Sequence, residues 1–335
     1  MADKYRTAPE LLALNDRARN FAGSHGRVFR PSQLAEWGLD PAVVRTMVRR
    51  RLWVRLRHGV YTDSATWEAS AGDPVDRHLL HCAAAIRALP LAAYAFGRSA
   101  AALHALPVPR GQLGAVSLVR DLDTDPRALY GRVKSTKGLP DVAIKTHNLG
   151  QEAVTMIAGI PVVSRDLAAV SSAATSTHEW ALATLDGAAW GRPAALESLA
   201  RVTAEWPYLR GIGTVRMVLA QVRSGAQTPL ESISRFRLTS AGLPEPTLQY
   251  PLHDRQGLIG YADMAWLDLG VIGECDGMLK YTSGDVLITE KLREDRIRAL
   301  GLIVVRWTWD DVMRDPAAVA DRIWRASRLA TRWAI

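Results

Sequence analysis

The run Tyr261-Ala-Asp-Met-Ala-Trp-Leu-Asp-Leu-Gly-Val-Ile-Gly-Glu-Cys-Asp-Gly-Met-Leu-Lys-Tyr281 constrains the fold of this chain more than any other stretch. Two apolar segments flank a turn at Asp268-Leu-Gly270, and each has the length and residue content of a strand. Within or just after them lie four chargeable groups, Asp263, Glu274, Asp276 and Lys280. A carboxylate inside an apolar strand is costly to bury. The cost falls when several carboxylates gather a divalent cation, and such a cation can hold and polarise a phosphodiester. The stretch therefore predicts a sheet that carries metal-dependent nuclease chemistry in outline.

The flanking sequence supplies the rest of a domain over 228–330. Thr228-Pro-Leu-Glu231 has a Thr cap, a Pro at the first helical position and an acid at the third, which predicts a helix running to Gly242. Strands follow over Pro246–Leu252, Leu258–Trp266 and Val271–Cys275, then a polar helix near 285–300, a strand over Leu302–Trp307 and a last helix from Pro316 to Leu329. This order, α-β-β-β-α-β-α, suits a mixed sheet flanked by helices. Asp263 and Glu274 would offer hard oxygen ligands from neighbouring strands, and Lys280 would orient water or stabilise developing charge. Each residue also has a plainer reading. Glu231 could only close its capping box, Asp263 could cap a strand turn, Asp276-Gly277 could be an ordinary turn and Lys280 a solvated lysine. The helix face bearing Glu290, Lys291, Arg293, Glu294, Asp295 and Arg296 reads as mostly solvated, with Lys291 and Arg296 as weaker candidates for contact with a nucleic-acid backbone.

At 335 residues the chain exceeds the usual size of one compact domain, so two or three are expected. The first is expected over 8–63. Phe29-Arg-Pro-Ser-Gln-Leu-Ala-Glu-Trp-Gly38 suggests a short helix with Ser32 as its cap, and Asp40-Pro41 opens a second helix reaching Arg51. The alternating segment Leu52–Tyr61, turning at Gly59, suits the hairpin of a winged helix. Val43, Val44, Met47 and Val48 would face its core. Arg45, Arg49, Arg50 and Arg51 on the helix, with Arg55 and Arg57 on the wing, would then form a phosphate-binding face. The alternative is a solvated basic face on a protein-interaction domain. The net charge of +8 gives a nucleic-acid partner further weight, although codon preference alone would also enrich Arg.

An Ala-rich α/β domain is expected over 73–224. His78, His81, His104, His147 and His178 lack a consistent ligand spacing there, and Trp180, Trp190 and Trp206 read as core. Cys82 and Cys275 stand far apart with no His at metal-ligand spacing, so neither a disulfide framework nor a zinc site is indicated. No apolar run approaches the ~20 residues of a membrane span, and the first residues lack a signal core. A cytoplasmic chain with no membrane partner is expected.

Residues Pro229 to Val312 resemble the PD-(D/E)xK nuclease superfamily, in particular the branch related to very-short-patch-repair (Vsr-like) endonucleases. The resemblance rests on Glu274-Cys-Asp-Gly-Met-Leu-Lys-Tyr281 after the strand acid Asp263, and on Val304-Val-Arg-Trp-Thr-Trp-Asp-Asp311. It implies a restriction-endonuclease-like fold, Mg²⁺ or Mn²⁺ as cofactor, and Glu231, Asp263, Glu274, Asp276 and Lys280 as catalytic residues. Asp263, Glu274 and Asp276 would be the metal ligands among them. The position two after Glu274, where the superfamily usually has Lys, holds Asp276, so the site is either active with a relocated lysine or degenerate.

Residues Ser32 to Tyr61 resemble AbiEi-type antitoxins, with Arg57-His-Gly-Val-Tyr61 as the most distinctive piece, and the likeness extends more loosely to Gly159-Ile-Pro-Val-Val-Ser-Arg-Asp166. The main expectation is a DNA-binding, metal-dependent endonuclease acting in defence or repair. The alternative is a non-catalytic antitoxin-like transcriptional repressor that keeps the nuclease fold as a scaffold. A homodimer, and a toxin or antitoxin partner, are compatible with both.

Overall fold

The computed structural model describes residues 7–37, 39–122, 131–133, 139–150, 153–276 and 284–330. Lys280 lies outside the described residues. The chain divides into two compact units, one of Met1–Thr175 with Leu199–Val215, the other of Ser176–Ser198 with Arg216–Ile335. The segments expected as first and middle domains, 8–63 and 73–224, thus fall largely in the first unit, while 176–198 and 216–224 belong to the second.

The first unit opens with α1 (Ala8–Gly23), a helix not expected from pattern. Its Thr7 and Glu10 form a capping box, and Leu11, Leu14, Ala18 and Ala22 recur at helical spacing on its buried face. Residues 31–37 wind as a 3₁₀ helix starting at Pro31, so Ser32 lies inside the element and does not cap it. In α2 (Pro41–Arg49) the Asp40 carboxylate accepts the N–H groups of Ala42 and Val43, both at 2.8 Å. The hairpin β1 (Trp53–Arg57) and β2 (Val60–Asp63) turns at Gly59, whose φ of +67° suits glycine. Phe29 pairs with Tyr61 of β2 in an isolated antiparallel bridge. Phe29, Leu34, Val43, Met47 and Trp53 fill the space between helices and hairpin, so this is a winged helix with its own core. Thr46 is buried where Val48 was expected, and Val48 is exposed, because the apolar stripe of a nine-residue helix faces inward over one narrow arc.

After α3 (Ser64–Ala69) and α4 (Pro74–Ala88), the same unit builds a six-stranded sheet. Its members are β3 (Tyr94–Ala95), β4 (Val116–Asp121), β5 (Gly131–Val133), β6 (Val142–His147), β7 (Val154–Ile157) and β8 (Ile160–Val163), in the order β5-β6-β4-β3-β8-β7. The helices α5 (Gly97–Leu103) and α6 (Arg165–Ala173) present Ala- and Ser-rich buried faces. Small side chains let these elements approach closely. The turn of the β7–β8 hairpin is fixed by its neighbour, since a Cβ on Gly159, at φ +75°, would stand 2.0 Å from the Ser24 carbonyl oxygen.

The second unit starts with α7 (His178–Ala189); α8 (Ala195–Glu205) and α9 (Ile212–Leu219) cross the unit boundaries in sequence. The core helix α10 (Pro229–Ser240) packs against a mixed four-stranded sheet of order β12-β11-β10-β9. Its strands are β9 (Thr247–Asp254), β10 (Gly257–Trp266), β11 (Val271–Asp276) and β12 (Ile303–Thr308), with β9–β10 and β10–β11 antiparallel and β11–β12 parallel. The crossover is α11 (Gly284–Ala299), and α12 (Trp309–Arg314) and α13 (Pro316–Leu329) close the unit. The fold is therefore mixed α/β, with an N-terminal winged helix and a C-terminal mixed sheet flanked by helices.

Trp266 and Trp307 anchor the second core by donating their indole N–H to the Pro244 carbonyl and the Ser234 hydroxyl, at 2.7 and 2.8 Å. Gly273 sits between them, where a Cβ would approach Trp307 to 2.5 Å and Trp266 to 2.8 Å. Two ion pairs join α7 to α10: Arg237 with Glu179 at 2.8 Å, and Arg235 with the fully buried Asp186 at 3.1 Å.

Candidate functional site

The winged helix carries the basic face. Arg45, Arg49, Arg50, Arg51 and Arg55 are all exposed, and four of them lie on or just past α2. Arg30, Arg45 and His58 line a groove between this helix and the wing. The Arg55 guanidinium contacts His58 Nδ1 at 2.8 Å across the hairpin tip, so the ring nitrogen acts as the acceptor. Arg57 departs from the expectation. It turns onto the rest of the unit, donates to the Pro140 carbonyl at 2.7 Å, and burial pulls its pKa down. The β1–β2 register shifts between Arg55 and Arg57, and an irregularity of that kind re-aims the side chain next to it. Arg57 is a structural fastener and does not stand with the exposed arginines.

The expected acids are partly gathered. Thr228 accepts the Glu231 N–H at 3.2 Å, and the Glu231 carboxylate in turn accepts from the Thr228 hydroxyl at 2.8 Å and the Gln227 N–H at 3.0 Å. Thr228 thus caps the helix, but Glu231 does not close a capping box, since its carboxylate takes the Thr228 hydroxyl and the Gln227 N–H and not the Thr228 N–H; the residue is 3% exposed and turned toward Asp263. The Gln249 amide bridges the two acids, donating to Glu231 at 3.1 Å and to Asp263 at 3.4 Å. Asp263 also accepts the Cys275 N–H at 2.8 Å, the point where β10 and β11 part. Burial raises the pKa of Glu231 and of Asp263, and the neighbouring carboxylates add to both shifts.

Glu274 has a different environment. Arg293 from α11 meets one carboxylate oxygen at 2.6 Å, and Arg306, its partner in the β11–β12 register, meets the other at 2.9 Å. Arg293 was expected on a solvated face; it instead turns onto the sheet and also donates to the Tyr261 carbonyl at 3.2 Å. Arg296, a weaker candidate for a nucleic-acid contact, forms a two-pronged pair with Asp254, both bonds at 2.7 Å. Asp276 ends β11, opposite Thr308.

Among the described residues, no group of three or more His, Cys, Asp or Glu side chains is spaced to hold a metal ion. The reason is visible in the bonding. Glu231, Asp263 and Glu274 are oriented by Thr228, Gln249 and the Cys275 amide, and two guanidinium groups already neutralise Glu274. As arranged, these residues do not fit a shared Mg²⁺ or Mn²⁺.

Two members of this cluster, Gln249 and Arg306, are not among the residues expected from sequence. Gln249 has φ +47°, a conformation that costs a non-glycine residue about 1–3 kcal/mol. No local pattern marks it, because polar residues on a half-exposed strand are ordinary. Arg306 could have been found from the alternation of Ile303-Val-Val-Arg-Trp307, where a cation interrupts an apolar strand next to one bearing Glu274. A Ser–His pair elsewhere is structural. Ser99 accepts the Ser117 N–H at 2.9 Å and contacts His78 Nε2 at 2.8 Å, but Ser99 is fully buried and burial lowers the His78 pKa to about 4.

The family described as "Transcriptional regulator, AbiEi antitoxin" matches residues 16–62, which span the winged helix from α1 to β2. The chain is also 28% identical over 214 residues to two proteins of Mycobacterium tuberculosis, "Uncharacterized protein MT2308" of strain CDC 1551 / Oshkosh and "Uncharacterized protein Rv2248" of strain H37Rv. Each alignment covers 64% of this chain and 79% of the relative. Among the described residues, no helix is long and apolar enough to cross a membrane.

Proposed function

We propose that this chain is a DNA-binding transcriptional regulator of the antitoxin type. The winged helix grips the duplex, and the acid-bearing sheet of the second unit serves as a scaffold. The observation that carries this reading is the coincidence of the antitoxin-family match at 16–62 with a folded winged helix whose five exposed arginines lie along α2 and the wing. Arginines so placed can contact phosphates on either side of a major groove entered by the helix. The antitoxin reading carries with it a toxin partner, and a palindromic operator would call for a homodimer.

The experiment is a gel-shift assay with DNA from upstream of the protein's own coding sequence. Binding is expected, with strong loss in Arg45→Ala combined with Arg49→Ala. Unchanged affinity in that variant would overturn the assignment of the DNA-binding face.

A second reading, a Mg²⁺- or Mn²⁺-dependent endonuclease, is favoured by one observation: α10, β10 and β11 bring Asp263 into electrostatic range of both Glu231 and Glu274. It requires Glu274 to be released by Arg293 and Arg306. Incubation of the same DNA with either metal decides between them: cutting that Asp263→Ala or Glu274→Ala abolishes would establish the nuclease, and intact DNA supports the scaffold.

A further inference from the structure

The first unit holds a second feature that DNA binding does not use. One face of the six-stranded sheet, together with the start of α5 and the end of α6, borders a half-open cavity of about 350 Å³. That volume falls in the range of small-molecule sites. Ser117 and Ala143, which pair across β4 and β6, form the floor with Lys145. Phe96 supplies apolar wall, and Arg98 spans the rim.

The electrostatics of this cavity are one-sided. The Arg98 guanidinium donates to two carbonyl oxygens, Gln112 at 2.9 Å and Thr175 at 2.6 Å, and its Nε is buried without a partner. The Lys145 ammonium lies 5.5 Å from the centre of the Phe96 ring, near the outer limit of a cation–π contact. Among the described residues, no carboxylate lines the cavity. Burial lowers the pKa of both cations, and Arg210 lowers that of Lys145 further, with no acid offsetting either. Cations withdrawn from water without a counter-charge are costly. Half-buried Arg237 and Arg293 are each matched by a carboxylate, whereas Arg87 donates only to backbone carbonyls. What sets Lys145 and Arg98 apart is that the two cations share one cavity with no carboxylate among its described lining residues.

We propose that this cavity binds a small organic anion, whose charge is met by Lys145 and Arg98 and whose apolar body packs on Phe96. A half-open cleft of this volume with an aromatic wall suits a compact acid better than it suits the phosphates of a duplex, which need a longer track. The inference is independent of the regulator reading.

Titration calorimetry on the full chain, using benzoate, phenyl phosphate and inorganic phosphate as probes and benzyl alcohol as the neutral control, tests it. Saturable binding of benzoate or phenyl phosphate is expected, with none for benzyl alcohol. Carboxylate against phosphate preference identifies the head group, and inorganic phosphate reports how far charge alone suffices. Lys145→Met should weaken binding by at least about tenfold, as loss of a desolvated charge partner does, while Lys145→Arg retains most of it. Arg98→Met provides a second variant if Lys145→Met fails to fold by circular dichroism. Absence of saturable binding for both organic anions would overturn the proposal, as would equal binding by benzyl alcohol, by the folded Lys145→Met chain, or by duplex DNA alone.

Discussion

Replacing Arg235 by Met tests how the second unit is held together. Arg235 is 5% exposed and donates to Asp186 at 3.1 Å, to the Gln221 carbonyl at 2.8 Å and to Glu245 at 3.0 Å. Asp186 is fully buried, and its other oxygen accepts the Arg223 N–H at 2.8 Å. Methionine preserves much of the volume but leaves the Asp186 charge without its cation. Removing one partner of a buried pair costs about 3–5 kcal/mol, most of it the penalty on the charge left behind. With a urea m-value of about 2 kcal/mol/M, the unfolding midpoint should fall by about 1.5–2.5 M at pH 7.

The pH dependence separates this cause from poorer packing. Burial already holds the Asp186 pKa above its ordinary value, and Arg235 is the largest influence opposing that rise. Without Arg235 the folded pKa climbs further, so between the unfolded and folded values the native state binds the extra proton. The deficit of Arg235→Met should therefore be full above the raised pKa and shrink as pH falls toward that of an unfolded aspartate. Asp186→Leu with Arg235→Met should recover most of the stability, since a hydrophobic replacement of a buried pair is often neutral or better. A deficit below about 1 kcal/mol, or one independent of pH, would refute the argument.

Three further outcomes are expected. Arg45→Ala, Arg49→Ala and Arg50→Ala together should reduce the steepness of log K against log salt by about 0.9 for each phosphate no longer neutralised, a total of about 2.7 measurable by fluorescence anisotropy; an unchanged slope would place the DNA on another face. Burial lowers the pKa of His78 to about 4, so the unfolded chain binds the proton first on acidification, and stability should decline between about pH 6.5 and 4 by about 3 kcal/mol for this residue. His78→Asn should flatten that part of the urea-midpoint profile. Gly159→Ala should destabilise by about 3 kcal/mol or more through its clash with the Ser24 carbonyl, whereas Gly59→Ala, with open space around it, should cost only about 1 kcal/mol of backbone strain.

Much of the second unit could be read before folding. The Thr228 cap, the three strands between 246 and 276 and the crossover to β12 stand close to where pattern placed them, because caps and alternation depend on residues a few positions apart. The helix-and-hairpin layout of the winged helix was legible for the same reason. The acids were less so. Asp263 and Glu231 could be named as unusual from their apolar or capping contexts, but their coupling through Gln249 depends on a strand residue in the left-handed region, which leaves no local trace.

By itself, the sequence determined where most helices and strands of the second unit begin, that the α2 face is basic, and that acids interrupt apolar strands. Only the tertiary structure decided which charges meet. Arg57 was turned from the wing's surface to its underside, Glu274 was given two arginines, and α7 was assigned to the unit containing α10. The reason is range: a cap closes over three residues, whereas Arg235 finds Asp186 across 49 positions and Arg306 finds Glu274 across 32. Such pairings follow from how sheets and helices stack, and no period in the sequence encodes them.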